Sequence, residues 1–207
     1  MPDPTPPRPT SPSPLRLPAA RRRKQLLDVA LQVFAARGFH PTSMNDLAEA
    51  AGVTKPVLYQ HFGSKRELYL EILEDVGGRL RDAIEKATSE AAGPREQVAR
   101  GFAAYFQFVA EHQAAFQLLF GGGTRRDEEF ATYVRRVEDN IADAIATLIE
   151  VEGLTASERR LLAHGIVGLA EGTSRHWIHE GLPGAPAELA ARVAELAWAG
   201  LRGINRD

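Results

Sequence analysis

The sequence predicts an all-α fold of about nine helices, with a three-helix head built on a helix-turn-helix ahead of a helical bundle. Three observations predict it. From Ala19 onward apolar residues recur at helical spacing, with no strand-like alternation. Glycines and Ser/Thr caps divide the chain into pieces of helix length. Two of those pieces are short and meet at a tight Ala51-Gly52-Val53 turn.

Taken in order, Met1 to Pro18 holds eight prolines among Ser, Thr and Arg. That composition buries too little apolar surface to offset ordering entropy, so residues 1–18 are expected to form a disordered arm. Leu27, Ala30, Leu31 and Phe34 then follow the i, i+3, i+4, i+7 rule. This helix should stop at Gly38 in a left-handed conformation, with Phe39 packing back on it. Met44, Leu47, Ala48 and Ala51 mark a short helix behind a Thr42-Ser43 pair able to cap it. After Gly52, Thr54 can cap a further helix, with Pro56 in its first turn and Leu58 and Phe62 inward. Ser64-Lys65-Arg66-Glu67 reads as a capping box opening a long helix over 64–90, carrying Leu68, Ile72, Val76, Leu80 and Ile84. Later breaks at Gly121 to Gly123, near Gly153 and around Gly181 to Pro186 predict helices over 95–111, 112–120, 126–152, 156–180 and 186–204. The expected division is an arm over 1–18, a head over 19–66 and a body over 67–207.

Composition narrows the function. At 207 residues and 44% apolar, the chain can bury a core. It contains no cysteine, which excludes a disulfide framework, a thiolate metal site and a Cys nucleophile. No uncharged apolar run approaches the roughly 18 residues of a membrane span, and the N-terminus is proline-rich where a signal peptide would be apolar. A cytoplasmic protein with no membrane partner is the expectation. The formal charge of -2 hides an asymmetry. Residues 1–66 carry ten Lys/Arg against four Asp/Glu, or +6, and the remainder fifteen against twenty-three, or -8. A basic head on an acidic body suits a chain that meets a polyanion at one end.

The small Ala48 and Gly52 suit a steep crossing of two short helices, and Val53, Leu47, Leu58 and Phe62 would clamp the pair onto the preceding helix. That leaves Thr54, Lys55, Val57, Tyr59, Gln60 and His61 on the face free for a major groove. Tyr, His and Lys can donate to phosphate, while Gln and Lys can pair with base edges. Upstream, Arg21, Arg22, Arg23 and Lys24 can track phosphates or enter a minor groove. Lys65 and Arg66 oppose the macrodipole of the long helix, so helix stability does not explain them. A basic tetrad is also what a solvated surface looks like, and helix-turn-helix shapes occur in proteins that never touch DNA.

Residues 24–68 resemble the N-terminal domain of TetR-family transcriptional regulators. The resemblance runs through Leu27, Ala30, Phe34 and Gly38, then Thr42, Met44, Leu47, Ala48, Ala51, Gly52 and Val53, then Leu58-Tyr59-Gln60-His61-Phe62, Lys65 and Leu68. It implies that Thr42, Tyr59, His61 and Lys65 grip phosphates and that Lys55, Val57 and Gln60 face the bases. Pro56-Val57 departs from the small residue that many relatives place before Leu-Tyr, which leaves the operator sequence open. The resemblance further implies a ligand-binding bundle after about Ser89 and a homodimer built by the last two helices. Gly165, Gly168 and Gly172 inside the 156–180 helix fit the close approach of a second helix, since each costs about 1 kcal/mol in helix propensity.

A ligand site is expected where aromatic residues crowd. Phe102, Tyr105, Phe106, Phe116 and Phe120 stand in the middle of the chain, and Phe130 and Tyr133 follow. Val137, Ile141, Ile145, His176 and Trp177 are expected to complete an apolar lining. Each could equally be plain core. A second, narrower resemblance, through Lys55 to Phe62 and Gly168 to Trp177, is to actinobacterial regulators of fatty-acid synthesis and implies a long-chain acyl-CoA effector. His176 and His179 with Glu171 and Glu180 lack a third fixed ligand, so no metal is expected. No nucleophile, base and orienter set stands out, so no catalytic residue and no cofactor are expected. The leading expectation is a ligand-responsive repressor that binds a palindromic operator on double-stranded DNA as a dimer. The rivals are a constitutive DNA binder, a multidrug-responsive repressor of an efflux gene and an all-helical enzyme.

Overall fold

The computed structural model describes residues 19–121, 124 and 126–204. The arm expected over 1–18 lies outside the described residues, as do Gly122 and Gly123 of the glycine run. Among the described residues the chain forms nine α-helices and no strand. They are α1 (Ala19–Arg37), α2 (Met44–Ala50), α3 (Lys55–His61), α4 (Lys65–Ser89), α5 (Pro94–Glu111), α6 (Gln113–Phe120), α7 (Glu128–Leu148), α8 (Ala156–His179) and α9 (Pro186–Gly203).

Helix α1 buries Leu26, Ala30, Leu31 and Phe34. Its inward stripe therefore begins at Leu26, with Leu27 only half-buried. It ends at Gly38, whose φ of +83° is the left-handed conformation that a side chain would strain. Phe39 returns to the helix, its ring 5.9 Å from that of Phe34. Helix α2 starts at a capping box in which Ser43 Oγ accepts from the Asp46 N–H and Asp46 accepts from the Ser43 N–H. Thr42 takes no part in that cap. Gly52, at φ +63°, makes the turn into α3. Thr54 precedes α3 without a side-chain cap bond, and Ser64 caps α4 through the Glu67 N–H. The Glu67 carboxylate goes to the Gly63 N–H, so the expected box is half formed.

Helix α4 runs from the head deep into the body. It packs on α1 at its start and on α5 and α7 further along, while α6 lies beneath α1. Helix α9 lies along α5, and α8 along α7. Helix α7 ends at Leu148 rather than near residue 152, because Ile149 is extended (φ −81°, ψ 97°) and its buried side chain seats in a small cluster with Ala142 and Ala163. No helix among the described residues is long and apolar enough to cross a membrane.

Two adjacent glycines interrupt α4 and have opposite surroundings. A Cβ on Gly77 would lie 2.8 Å from Val137 Cγ2, so this glycine lets α4 cross α7 closely. A Cβ on Gly78 would meet nothing within 4 Å. Gly77→Ala is expected to lower the unfolding free energy by about 1–3 kcal/mol through overpacking. Gly78→Ala should raise it by roughly 0.5–1 kcal/mol through helix propensity. Urea unfolding of the two variants checks this, and effects of the same sign would contradict it.

Candidate nucleic-acid interface and effector cavity

Helix α3 is held from behind by Leu58 and the following Phe62, each 1% exposed, while Val57 and His61 are half-buried. Its other side faces solvent. Thr54, Lys55, Tyr59 and Gln60 are exposed there, Tyr59 at 44%, and the Lys55 ammonium sits 5.9 Å from the Tyr59 ring centre. A cation, a phenol, an amide and a hydroxyl are thus exposed together on α3 and at its N-terminal end. On α1, Arg21 and Lys24 are exposed and Arg22 is half-buried, donating to Gln25 at 3.4 Å.

Two other cations of the head turn inward. Lys65 Nζ donates to the carbonyls of Phe39 (2.8 Å), His40 (3.3 Å) and Thr42 (2.7 Å), with the Phe39 ring centre 4.3 Å away. Its three hydrogens thus bind the α1–α2 loop to the start of α4. Arg23 donates to the His61 carbonyl at 2.7 Å and to Glu71 at 2.6 Å, and its guanidinium carbon lies 4.4 Å from the Phe62 ring centre. Burial raises the Glu71 carboxyl above its usual range, against the opposing pull of Arg23.

The head meets the body at an aromatic and ionic joint. Arg66 donates through both terminal nitrogens to Asp127, at 2.9 and 3.2 Å, and through Nε to Glu129. Its guanidinium carbon lies 4.6 Å from the Phe130 ring centre. The Phe130 ring lies 4.8 Å from Phe39 and 4.4 Å from Tyr69. Thr124 gives its one hydroxyl hydrogen to the Leu118 carbonyl, so the Tyr69 O–H, 2.6 Å away, donates to Thr124 Oγ1. The Arg66 hydrogen bonds hold the Asp127 carboxyl below the usual aspartate range, so the pair is charged at neutral pH.

Farther along α4 a cavity of about 570 Å³ opens between α4, α5, α7, α8 and α9. Leu80, Ile84, Val98, Phe102, Ile141 and Ile145 give it an apolar wall, closed by Ile166 and Val167 of α8 and Leu201 of α9. Exposed Arg81, Glu85, Glu150 and Arg202 also line it. The volume falls within the roughly 300–1,000 Å³ of small-molecule sites. Tyr105 borders the cavity, and burial pushes its phenol far above the usual range. Ser174 Oγ is the polar group beside it, yet the two do not reach hydrogen-bond geometry.

Residues 26–72 match the family described as "Bacterial regulatory proteins, tetR family", and residues 94–200 match the "Tetracyclin repressor-like, C-terminal domain". The chain belongs to the TetR family. It is similar to the HTH-type transcriptional activator FasR of Mycolicibacterium smegmatis, 33% identical over 90% of this chain and 85% of that protein. It is also similar to the regulator BetI of Rhizobium meliloti, at 32% identity over 84% of each chain. A solved TetR-like transcriptional regulator from Rhodococcus sp. RHA1 shares 33% identity and superposes with a TM-score of 0.76, covering 91% of this chain and 100% of that one. FadR from Bacillus subtilis, solved in complex with stearoyl-CoA, has the same fold at 20% identity (TM-score 0.75, 84% of this chain and 96% of that one). These relatives are transcriptional regulators, and with the TetR family this chain shares a helix-turn-helix DNA-binding domain.

Three side chains of the TetR-family head stand elsewhere than the sequence suggested. Thr42 is 1% exposed and donates to the Gly38 carbonyl at 2.7 Å, so its hydroxyl closes a loop and cannot reach a phosphate from this position. Lys65 and Arg23 have their donors directed to protein acceptors. Of the expected cavity lining, Phe102, Tyr105, Phe120, Ile141 and Ile145 border the cavity. The rest do not. Phe106 is fully enclosed, with Trp177 edge-on 6.0 Å away, and Trp177 donates to the Pro183 carbonyl at 3.0 Å. Phe116 packs on Phe120, Phe130 belongs to the joint and Val137 lies under Gly77. Tyr133 faces an outer groove beside Arg136, and His176 is exposed. Among the described residues no three His, Asp or Glu side chains gather as a metal site.

Replacing Lys65 by Met keeps the stem on Phe39 and removes all three carbonyl bonds. Lys65→Met is expected to cost about 1–2 kcal/mol of stability, read as a drop of several degrees in melting temperature. An unchanged melting temperature with a weaker salt dependence of DNA binding would return this lysine to a phosphate.

Proposed function

We propose that this TetR-family chain is a ligand-responsive repressor that binds a palindromic operator as a homodimer and releases it when a hydrophobic effector fills the cavity. In this reading residues 19–66 are the DNA-reading head and 67–207 the sensing and dimerising body. One observation carries it. Helix α4 joins the two sites as a single element, beginning at Lys65, separated from the end of α3 by three residues, and contributing Leu80, Ile84 and Thr88 to the cavity.

The groove-facing set is Thr54, Lys55, Tyr59 and Gln60, with the half-buried Val57 and His61 on the same helix, and Arg21, Arg22 and Lys24 are the cations of α1 offered to phosphates. The dimer reading is supported by α8 and α9. A Cβ on Gly165, Gly168 or Gly172 would meet open space, and Leu161 and Leu196 are 71% and 62% exposed. A second copy would cover these apolar groups and use the glycines for close approach. The cavity, apolar along its walls and charged at exposed residues, suits an elongated chain with a polar end. That supports an acyl thioester such as stearoyl-CoA as the first effector to try. The rival with a specific observation in its favour is a response to lipophilic drugs, because Glu85, Glu138, Glu150 and Glu171 outnumber Arg81 and Arg202 around the same cavity.

Thermal shift against stearoyl-CoA, stearic acid and lipophilic cations separates these readings. A ligand of the folded state raises the melting temperature by mass action; the effector among them should also weaken operator binding by about 5- to 150-fold, and operator DNA should weaken its binding by the same factor. Ile145→Trp, which takes up cavity space, should abolish the shift, and whatever operator affinity it retains should no longer change when the ligand is added. A chain that binds DNA and responds to none of these probes would be a constitutive binder.

A further inference from the structure

Helix α3 has only seven residues, and such a helix ends with carbonyls that have no partner within it. A left-handed glycine commonly closes that end by turning the next N–H groups back onto the carbonyls. Here the chain leaves in an extended conformation at Phe62 (φ −139°, ψ 122°), and only the Phe62 N–H returns, to the Leu58 carbonyl. The His61 carbonyl instead accepts from Arg23 Nη1 at 2.7 Å. Among the described residues, this is the one side-chain hydrogen bond to α3 from outside it.

The same guanidinium ties three helices together. It belongs to α1, closes the end of α3 and reaches Glu71 of α4 at 2.6 Å, with the Phe62 ring under its plane. Its positive charge also lies at the C-terminal end of α3, where the helix dipole favours a cation. Helix α3 itself buries only Leu58, so apolar packing leaves its rotation loosely fixed. Base reading needs side chains held within about 0.5 Å and 10–20° of the productive geometry.

We infer that Arg23 is a positioning residue for operator recognition: it holds the end of α3 against α1 and α4 and makes no phosphate contact itself. This rests on the reading that α3 enters the major groove. Two kinds of contact leave different signatures. Losing a phosphate contact weakens binding to every sequence and lowers the salt slope by about 0.9 per contact. Losing alignment weakens only the binding that depends on base edges.

The test uses the full chain, an operator duplex enriched by the wild-type protein from a random-sequence pool, and an unrelated duplex of equal length, each titrated over a range of salt. The active fraction is fixed by stoichiometric titration, so that lost stability alone does not alter the ratio of the two affinities. Arg23→Ala is expected to lower the preference for the operator by about tenfold or more while the salt slope stays constant. Arg23→Lys keeps the charge but cannot serve His61, Glu71 and the Phe62 ring together, so it should resemble Arg23→Ala. Glu71→Gln, which removes the charge that orients Arg23, should show a smaller loss of the same kind and supplies the reading if Arg23→Ala fails to fold. A reduced salt slope in Arg23→Ala, restored by Lys, would overturn the inference, as would a preserved operator preference. A wild-type protein that enriches no sequence would instead remove the reading of α3 on which the inference stands.

Discussion

The arrangement of this protein depends on the contact between Arg66 and the start of α7. Asp127 caps α7 through the Glu129 and Phe130 N–H groups and at the same time receives the Arg66 fork. Phe130, in the first turn of α7, supplies the surface over which that guanidinium lies and also packs against Phe39 and Tyr69. An exposed ion pair alone contributes little to stability. Two parallel hydrogen bonds laid on an aromatic cluster do more, because planar geometry and ring packing restrict each other. The result helps to fix where the head sits on the body, since the α1–α2 loop reaches α7 through these rings, beside the packing of α1 on α6.

From that joint, α4 extends past the Gly77 crossing with Val137 to the cavity wall at Leu80. Val137 precedes Ile141, another wall residue, by one turn of α7. An effector between α4 and α7 would therefore press on the two helices just beyond the point where they touch most closely. Packed cores shift between discrete arrangements more readily than they deform smoothly. Under the proposed function, a small separation at the wall becomes a change in the angle at which α3 is presented.

Much of the head was legible in sequence because its signals are local. The 3.6-residue spacing located α1 to α3, and Gly38 and Gly52 do take positive φ. Of the Thr42-Ser43 pair expected to cap α2, Ser43 does so, with Asp46 completing the box. What escaped was the direction of individual side chains. Thr42, Arg23 and Lys65 carry groups suited to phosphate, but the nearby carbonyls of Gly38, His61 and Phe39 are acceptors whose availability depends on how the chain turns. Arg66 and Asp127 are 61 positions apart, and no local pattern pairs them. In the body, aromatic density marked α5 and α6, yet rings such as Phe106 and Trp177 fill space by packing on each other. The cavity is walled largely by aliphatic residues of α4, α7 and α8, whose facing is set by helix crossings rather than by composition. Ile149 ended α7 early for a similar reason, its side chain being buried beside α8.

The most direct test of this account is a double-mutant cycle at the joint, read as operator affinity. Arg66→Met keeps an apolar stem on Phe130 and removes the bonds to both Asp127 and Glu129, while Asp127→Asn keeps a good N-cap for α7 and removes only the charge facing the fork. Either substitution alone is expected to weaken operator binding, Arg66→Met at least as much as Asp127→Asn, and the double variant to be no weaker than Arg66→Met alone. Independent losses that multiply in the double variant, or no loss in any of the three, would contradict it.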